Sequence, residues 1–201
     1  MPSRPRLSLL PYMLVLALTA LWAGLCIWTL GLTEQGVLEL TRLTARTSVF
    51  FFLAAFAASA LFRTWPTPFS HYLLRNRRNM GLAFALAHFI HLGVLTSYFI
   101  LSGEDPGLVR IIGGGLGYVI IGLMAMTSND WSVRRLGRNW KRLHIAGGWY
   151  IWLIFLNGYL GRTLKGEQPV LIFGCIAALT VMAGLLKFAV WQRSRQTRPG
   201  V

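Results

Sequence analysis

Residues Met80 to Leu101 read MGLAFALAHFIHLGVLTSYFIL, a run without Asp, Glu, Lys or Arg. At about 1.5 Å per residue it is long enough to cross roughly 30 Å of hydrocarbon as a helix. Five further apolar runs flank it: Leu9 to Leu32, Thr47 to Phe62 (or from Thr44), Leu108 to Met126, Leu143 to Leu160 and Val170 to Val190. Polar, Gly or Pro residues bound each of them, as in Glu104-Asp105-Pro106 and Gly166-Glu167-Gln168-Pro169. The pattern predicts an all-α, polytopic bundle of six transmembrane helices, read as one domain over residues 1–201. Composition agrees: 55% of the residues are hydrophobic and 13% charged, where soluble domains carry about a quarter charged. Collagen-like, disordered and disulfide-scaffold classes are excluded by the same arithmetic. Arg4 and Arg6 precede the first run as they would in a secretion signal, but the run is too long for a signal core and is read as a retained helix.

The excess of 20 basic over 6 acidic residues would suggest nucleic acid in a soluble protein. Here it is read as topology. With six spans and a cytoplasmic N terminus, fifteen Lys and Arg fall inside, from Arg4 and Arg6 through Arg63, the Arg75 to Arg78 and Arg134 to Arg142 clusters and Lys187 to Arg198. Five (Arg42, Arg46, Arg110, Arg162, Lys165) fall outside, which obeys the positive-inside rule and places both termini in the cytoplasm. Membrane lipid is the expected partner of this charge, and nucleic acid is not. The connecting segments, the longest about Arg63 to Asn79 and Thr127 to Arg142, are too short for a soluble catalytic domain. No phosphate loop, zinc cluster or catalytic triad is present. Gly113-Gly114-Gly115 with Gly117 lies inside a span, where small residues admit a neighbouring helix or a flat cofactor.

The histidines carry the chemistry. His71 lies in an inner loop, His88 and His91 in the third span and His144 at the start of the fifth. An intramembrane ionisable side chain marks a functional site or a hydrogen bond between helices, and imidazole is the commonest metal ligand. Imidazoles on facing helices are also how bundles hold haem.

Thr127-Ser128 followed by Arg134-Arg135-Leu136-Gly137-Arg138-Asn139-Trp140-Lys141-Arg142-Leu143-His144 resembles the inner loop and fifth helix of the ferric reductase-like transmembrane domain family. The form it most resembles is the haem-bearing membrane subunit of bacterial periplasmic methionine sulfoxide reductase systems. Thr44-Ala45-Arg46-Thr47, Arg77-Arg78, Gly81-Leu82 and His91 extend the resemblance, which covers about Arg42 to Gly161. It implies b-type haem between the third and fifth helices of a bacterial inner-membrane protein. It implies electrons passed from a quinone pool or a cytosolic flavin reductase toward a periplasmic reductase subunit. It also carries His91 and His144 over as metal ligands. The family's second histidine of the fifth helix falls on Asn157, a poor iron donor beside imidazole.

By residue counting His91 and Asn157 lie at one depth, about 20 Å and 22 Å past Arg78 and Arg142, while His144 lies near the inner surface. His88 shares a helix with His91 and cannot supply the opposite face of an iron. At the inner level His144 faces Arg77, Arg78, or His71 and Tyr72, and the two arginines are candidates for holding haem propionates or the phosphate of FMN, or act as topology signals and lipid anchors. Two functions stay open at this level: a haem b electron-transfer subunit, and a haem-free relative that serves as an interaction or assembly partner. A proton path is disfavoured because the spans hold no Asp or Glu.

Overall fold

A computed structural model describes residues 8–167 and 169–196. Arg4, Arg6, Gln168 and Arg198, used above for topology and boundaries, lie outside the described residues. Eight helices follow one another among those described: α1 (Leu10–Leu30), α2 (Glu34–Thr64), α3 (Pro68–Arg75), α4 (Arg77–Ser102), α5 (Leu108–Met126), α6 (Asp130–Leu136), α7 (Arg138–Leu164) and α8 (Val170–Gln196). The six long ones coincide with the six apolar runs. Five of them, all but α7, are long and apolar enough to cross a membrane. Arg138, Lys141 and Arg142 at one end of α7 and Arg162 at the other, with Trp, Tyr and Gly between them, reduce its mean hydropathy.

The second helix departs most from expectation. Its predicted start at Thr47 or Thr44 is corrected to Glu34, and the expected outer loop shrinks to three residues, Gly31 to Thr33. Thr33 caps the new start, its side chain accepting from Gly36 N at 3.2 Å, and Glu34 in the first turn suits the positive end of the helix dipole. Gly31 turns the chain at φ 69°, and a Cβ on Gly36 would lie 2.4 Å from the Gly31 carbonyl oxygen, so the junction admits no larger residue there. Thr41, Thr44, Thr47 and Ser48 return their hydroxyl protons to carbonyls three or four residues back. Polar residues that read as a loop therefore sit in the helix at little cost. At 31 residues α2 is about 46 Å long, well beyond the hydrocarbon thickness.

The two segments read as inner loops contain short helices instead, and the reason is local. Thr67 and Ser70 form a reciprocal cap on α3, and Asn129 accepts from Ser132 N on α6.

α2 is the hub. It packs against α4, α1, α8 and α3, while α7 packs on α8 and α5, and α4 reaches α5 and α1. The core between them is aromatic: Phe52, Phe56, Phe84, Phe155 and Tyr159 are buried with Ile121, Ile151 and Ile176. The α5 and α7 backbones approach at glycines. A Cβ on Gly147 would lie 2.6 Å from Met124 Sδ, and one on Gly117 3.0 Å from Ile154 Cδ1. The packing role proposed for the glycine run thus falls to Gly117, whereas Gly113 to Gly115 have open space beside them. Gly184 of α8 seats the Trp152 indole in the same manner. Outward-facing Leu, Ile, Val and Trp, with Val109 at 89% and Leu171 at 83% exposure, leave an apolar surface that only lipid or another membrane chain covers.

Candidate functional site

His88 and His91 stand three apart on α4 and face Thr44 and Ser48, four apart on α2. His91 Nδ1 lies 3.1 Å from Thr44 Oγ1, and His88 Nδ1 lies 3.1 Å from Ser48 Oγ. The hydroxyl protons are already committed: Thr44 Oγ1 donates to the carbonyls of Leu40 at 2.9 Å and Thr41 at 3.0 Å, and Ser48 Oγ donates to Ala45 O at 2.8 Å. Each hydroxyl oxygen can then only accept from the imidazole. Both rings are therefore inferred to be Nδ1–H tautomers, and each Nε2 keeps its lone pair without a hydrogen-bond partner among the described residues. An anchored Nδ1–H beside a bare Nε2 is the preparation that a metal-ligating histidine needs.

The surroundings are apolar and flat. The His88 ring stacks on Tyr118 of α5 at 4.8 Å and 25°, and lies 5.4 Å from the His91 ring, 5.4 Å from Phe84 and 5.6 Å from Phe155 of α7. α4 and α7 do not pack backbone against backbone. Rings span the interval: Phe155 lies 6.1 Å from Phe84 and 5.3 Å from Phe52. The donor atoms and apolar walls fit attachment of a porphyrin iron from the α4 side. Among the described residues no second donor stands opposite. The Asn157 side chain makes no hydrogen bond among them and is exposed on α7, in line with exposed Leu153, Leu160 and Leu164, while Phe155 is the α7 side chain against the His88 ring. Among the described residues no three or more His, Cys, Asp and Glu side chains gather to hold a bare metal ion.

His144 is held the other way round. Its Nε2 is 3.2 Å from Thr127 Oγ1, whose proton goes to Leu123 O at 2.7 Å, so Nε2–H donates and the ring keeps only Nδ1 free. Trp140 stacks on it at 4.2 Å and donates its own N–H to Thr127 O at 2.9 Å, locking the ring against the end of α5. The two candidate arginines beside it are engaged as well. Arg77 Nε donates to Ala55 O of α2 at 3.1 Å, and Arg78 pairs with Asp130 of α6 at 2.8 Å. Lys187 of α8 joins this end, donating to Phe56 O at 3.4 Å and resting 3.6 Å over the Phe56 ring. His71 lies exposed on α3 against Phe62 at 5.6 Å, and Tyr72 gives its carbonyl to Asn76. The structure thus brings His88 and His91 together and keeps His144 with Thr127 and Trp140.

Sequence reasoning missed Ser48, Tyr118 and Phe155, and met Thr44 only as part of a resemblance. A usable signal existed for the hydroxyls: Thr44 and Ser48 are four apart on a helix, and His88 and His91 three apart on another, so two side-chain ladders of matching pitch were available to pair.

The chain is 34% identical over 118 residues to the protein-methionine-sulfoxide reductase heme-binding subunit MsrQ of Brucella anthropi, covering 53% of this chain and 51% of that one. Relatives of the same name in Brucella ovis and Brucella canis are 34% identical over 119 residues with the same shares. The chain spans about half the length of the curated relatives it matches. No family model matches it, and no solved structure does.

Proposed function

We propose that this chain is a haem b-binding electron-transfer subunit of a bacterial inner membrane, with six spans, α7 (fifth in chain order) completing the six, and both termini cytoplasmic. The observation that carries the reading is the pair of half-buried imidazoles whose Nδ1–H groups are tied to α2 and whose Nε2 atoms are left bare in an apolar, ring-lined interval between α4 and α7. Haem held there would supply a one-electron carrier at membrane depth. His91 would hold the iron in this reading, and His88 is the neighbouring imidazole that stacks on Tyr118. Thr44 and Ser48 hold the rings in the ligating tautomer, while Phe52, Phe84 and Phe155 exclude water and lower the local dielectric. The 34% identity to heme-binding subunits supports the cofactor class.

His144, Arg77 and Arg78 form the inner end. There the basic surface would receive an electron donor, a quinol or a cytosolic flavin reductase, and Arg77 and Arg78 would meet a propionate or an FMN phosphate on exchanging Ala55 O and Asp130 for it. The acceptor in this reading is a reductase subunit on the periplasmic side; the relatives' names, which speak of a subunit of a reductase, support a reductase partner. The test is optical. Protein expressed with haem supplementation and purified in mild detergent should show a Soret band that shifts on dithionite reduction, and His91→Ala should remove most of it. Colourless protein from haem-replete cells would overturn the reading and leave a haem-free assembly partner.

A further inference from the structure

Arg46 follows Thr44 by two residues on α2, about 200° around the helix, so it faces α8 and not the imidazoles. Its guanidinium carbon lies 5.7 Å from the centre of the Phe173 ring. Arg162 lies over the same ring at 5.7 Å but is paired with Glu167, and Arg42 is paired with Glu39. Arg46 has no carboxylate and no hydrogen-bond acceptor among the described residues, and its Nε is sealed from solvent without a partner. A buried donor of this kind calls for an acceptor that the described residues do not supply.

Two apolar grooves meet at this side chain, and among the described residues Arg46 is the only charged one lining either. One, of about 260 Å³, runs between α2 and α8 past Phe50, Ile172, Cys175 and Leu179, about 10 Å along α8. The other, of about 290 Å³, lies between α1 and α2 against Leu18, Trp22 and Leu43. Both lie on the apolar outer surface of the bundle. One unpaired cation with two apolar channels leaving it matches one oxyanion carrying two chains. We propose that Arg46 anchors the phosphate of a diacyl phospholipid, with one acyl chain seated in each groove. Guanidinium binds phosphate oxygens through parallel N–H donors, and the channels add apolar area to the attachment. A quinol offers no anion and a single tail, and so uses only half of this arrangement. The inference stands without the haem reading.

The test uses the full chain in mild detergent, with native mass spectrometry measuring the retention of added diacyl phosphatidylglycerol, its lyso form, and diacylglycerol of the same chains. Stoichiometric retention of the diacyl phospholipid is expected, with the lyso form and diacylglycerol held at least about tenfold more weakly. Arg46→Gln should lower phosphatidylglycerol retention about tenfold or more, and Arg42→Gln should leave it unchanged. Should Arg46→Gln fail to fold, Leu179→Trp fills one groove with Arg46 intact and should also release the lipid. Equal retention by Arg46→Gln or by Leu179→Trp would overturn the proposal, as would equal retention of diacylglycerol or displacement of the phospholipid by a stoichiometric short-chain quinone. Unchanged lipid with a lost Soret band in Arg46→Gln would also overturn it, assigning the guanidinium to a propionate.

Discussion

Thr44→Val tests whether the α2 hydroxyls prepare the α4 imidazoles. Thr44 is 2% exposed, and valine matches its shape, so the packing change is small and the lost acceptor dominates. In the parent, His91 Nδ1–H donates to Thr44 Oγ1 at 3.1 Å, which keeps the ring proton off Nε2. Without that oxygen the preference between tautomers falls by the net worth of one hydrogen bond, about 0.5 to 1.5 kcal/mol. The Nε2–H form, which cannot ligate, then competes. Each 1.4 kcal/mol is about tenfold in affinity, so haem should bind roughly 3- to 10-fold more weakly, within or just below the range known for lost outer partners of metal-bound histidines. The assay is haem titration of apo-protein in detergent, followed at the Soret band. Thr44→Ser keeps the acceptor and should titrate like the parent. Ser48→Ala, which unties His88 alone, should leave the affinity within about twofold if His91 is the donor. A Thr44→Val curve that overlays the parent would refute the tautomer argument, and weakening by Ser48→Ala alone would move the ligand to His88.

Three further outcomes follow from the packing. Gly147→Ala places a methyl 2.6 Å from Met124 Sδ and 2.8 Å from Ile120 Cγ2, so it should destabilise by about 1 to 3 kcal/mol, while Gly158→Ala, with open space beside it, should be neutral or slightly stabilising; thermal unfolding in detergent reads both. Asn157→His should leave the absorption spectrum unchanged, because that side chain is exposed beside Leu153 and Leu160; conversion to a six-coordinate, low-spin spectrum would show that α7 turns this side toward the iron. If α7 crosses the membrane, cysteines placed at Ser128 and Gly166 in a chain lacking Cys26 and Cys175 should be labelled by an impermeant maleimide from opposite sides of a vesicle, and labelling from one side would remove the sixth span.

The membrane class and the positions of the six long helices were legible in the chain, because lipid selects for long uncharged runs irrespective of what packs on what. Helix ends were legible to within two residues for α1 and α5, whereas α7 and α8 run on past the charged residues at which their apolar runs stop. The start of α2 escaped because Thr33, Thr41 and Thr44 read as loop residues until Thr33 is seen to cap the helix and the other two hydroxyls to return to the helix's own carbonyls. The same limit governs the site. That His88 and His91 share a helix and sit at membrane depth follows from counting residues. That Thr44 and Ser48 anchor them, that Tyr118 and Phe155 wall them, and that Asn157 looks away follows from how α2, α5 and α7 are rotated against α4, and rotation is set by contacts between residues far apart in the chain. The amino-acid sequence by itself determined a lipid-embedded helical bundle with imidazoles inside it, since hydropathy and residue type are properties of single positions. Only the tertiary structure decided which nitrogen of each imidazole is tied down and which is left bare, since that depends on the partner a distant helix presents.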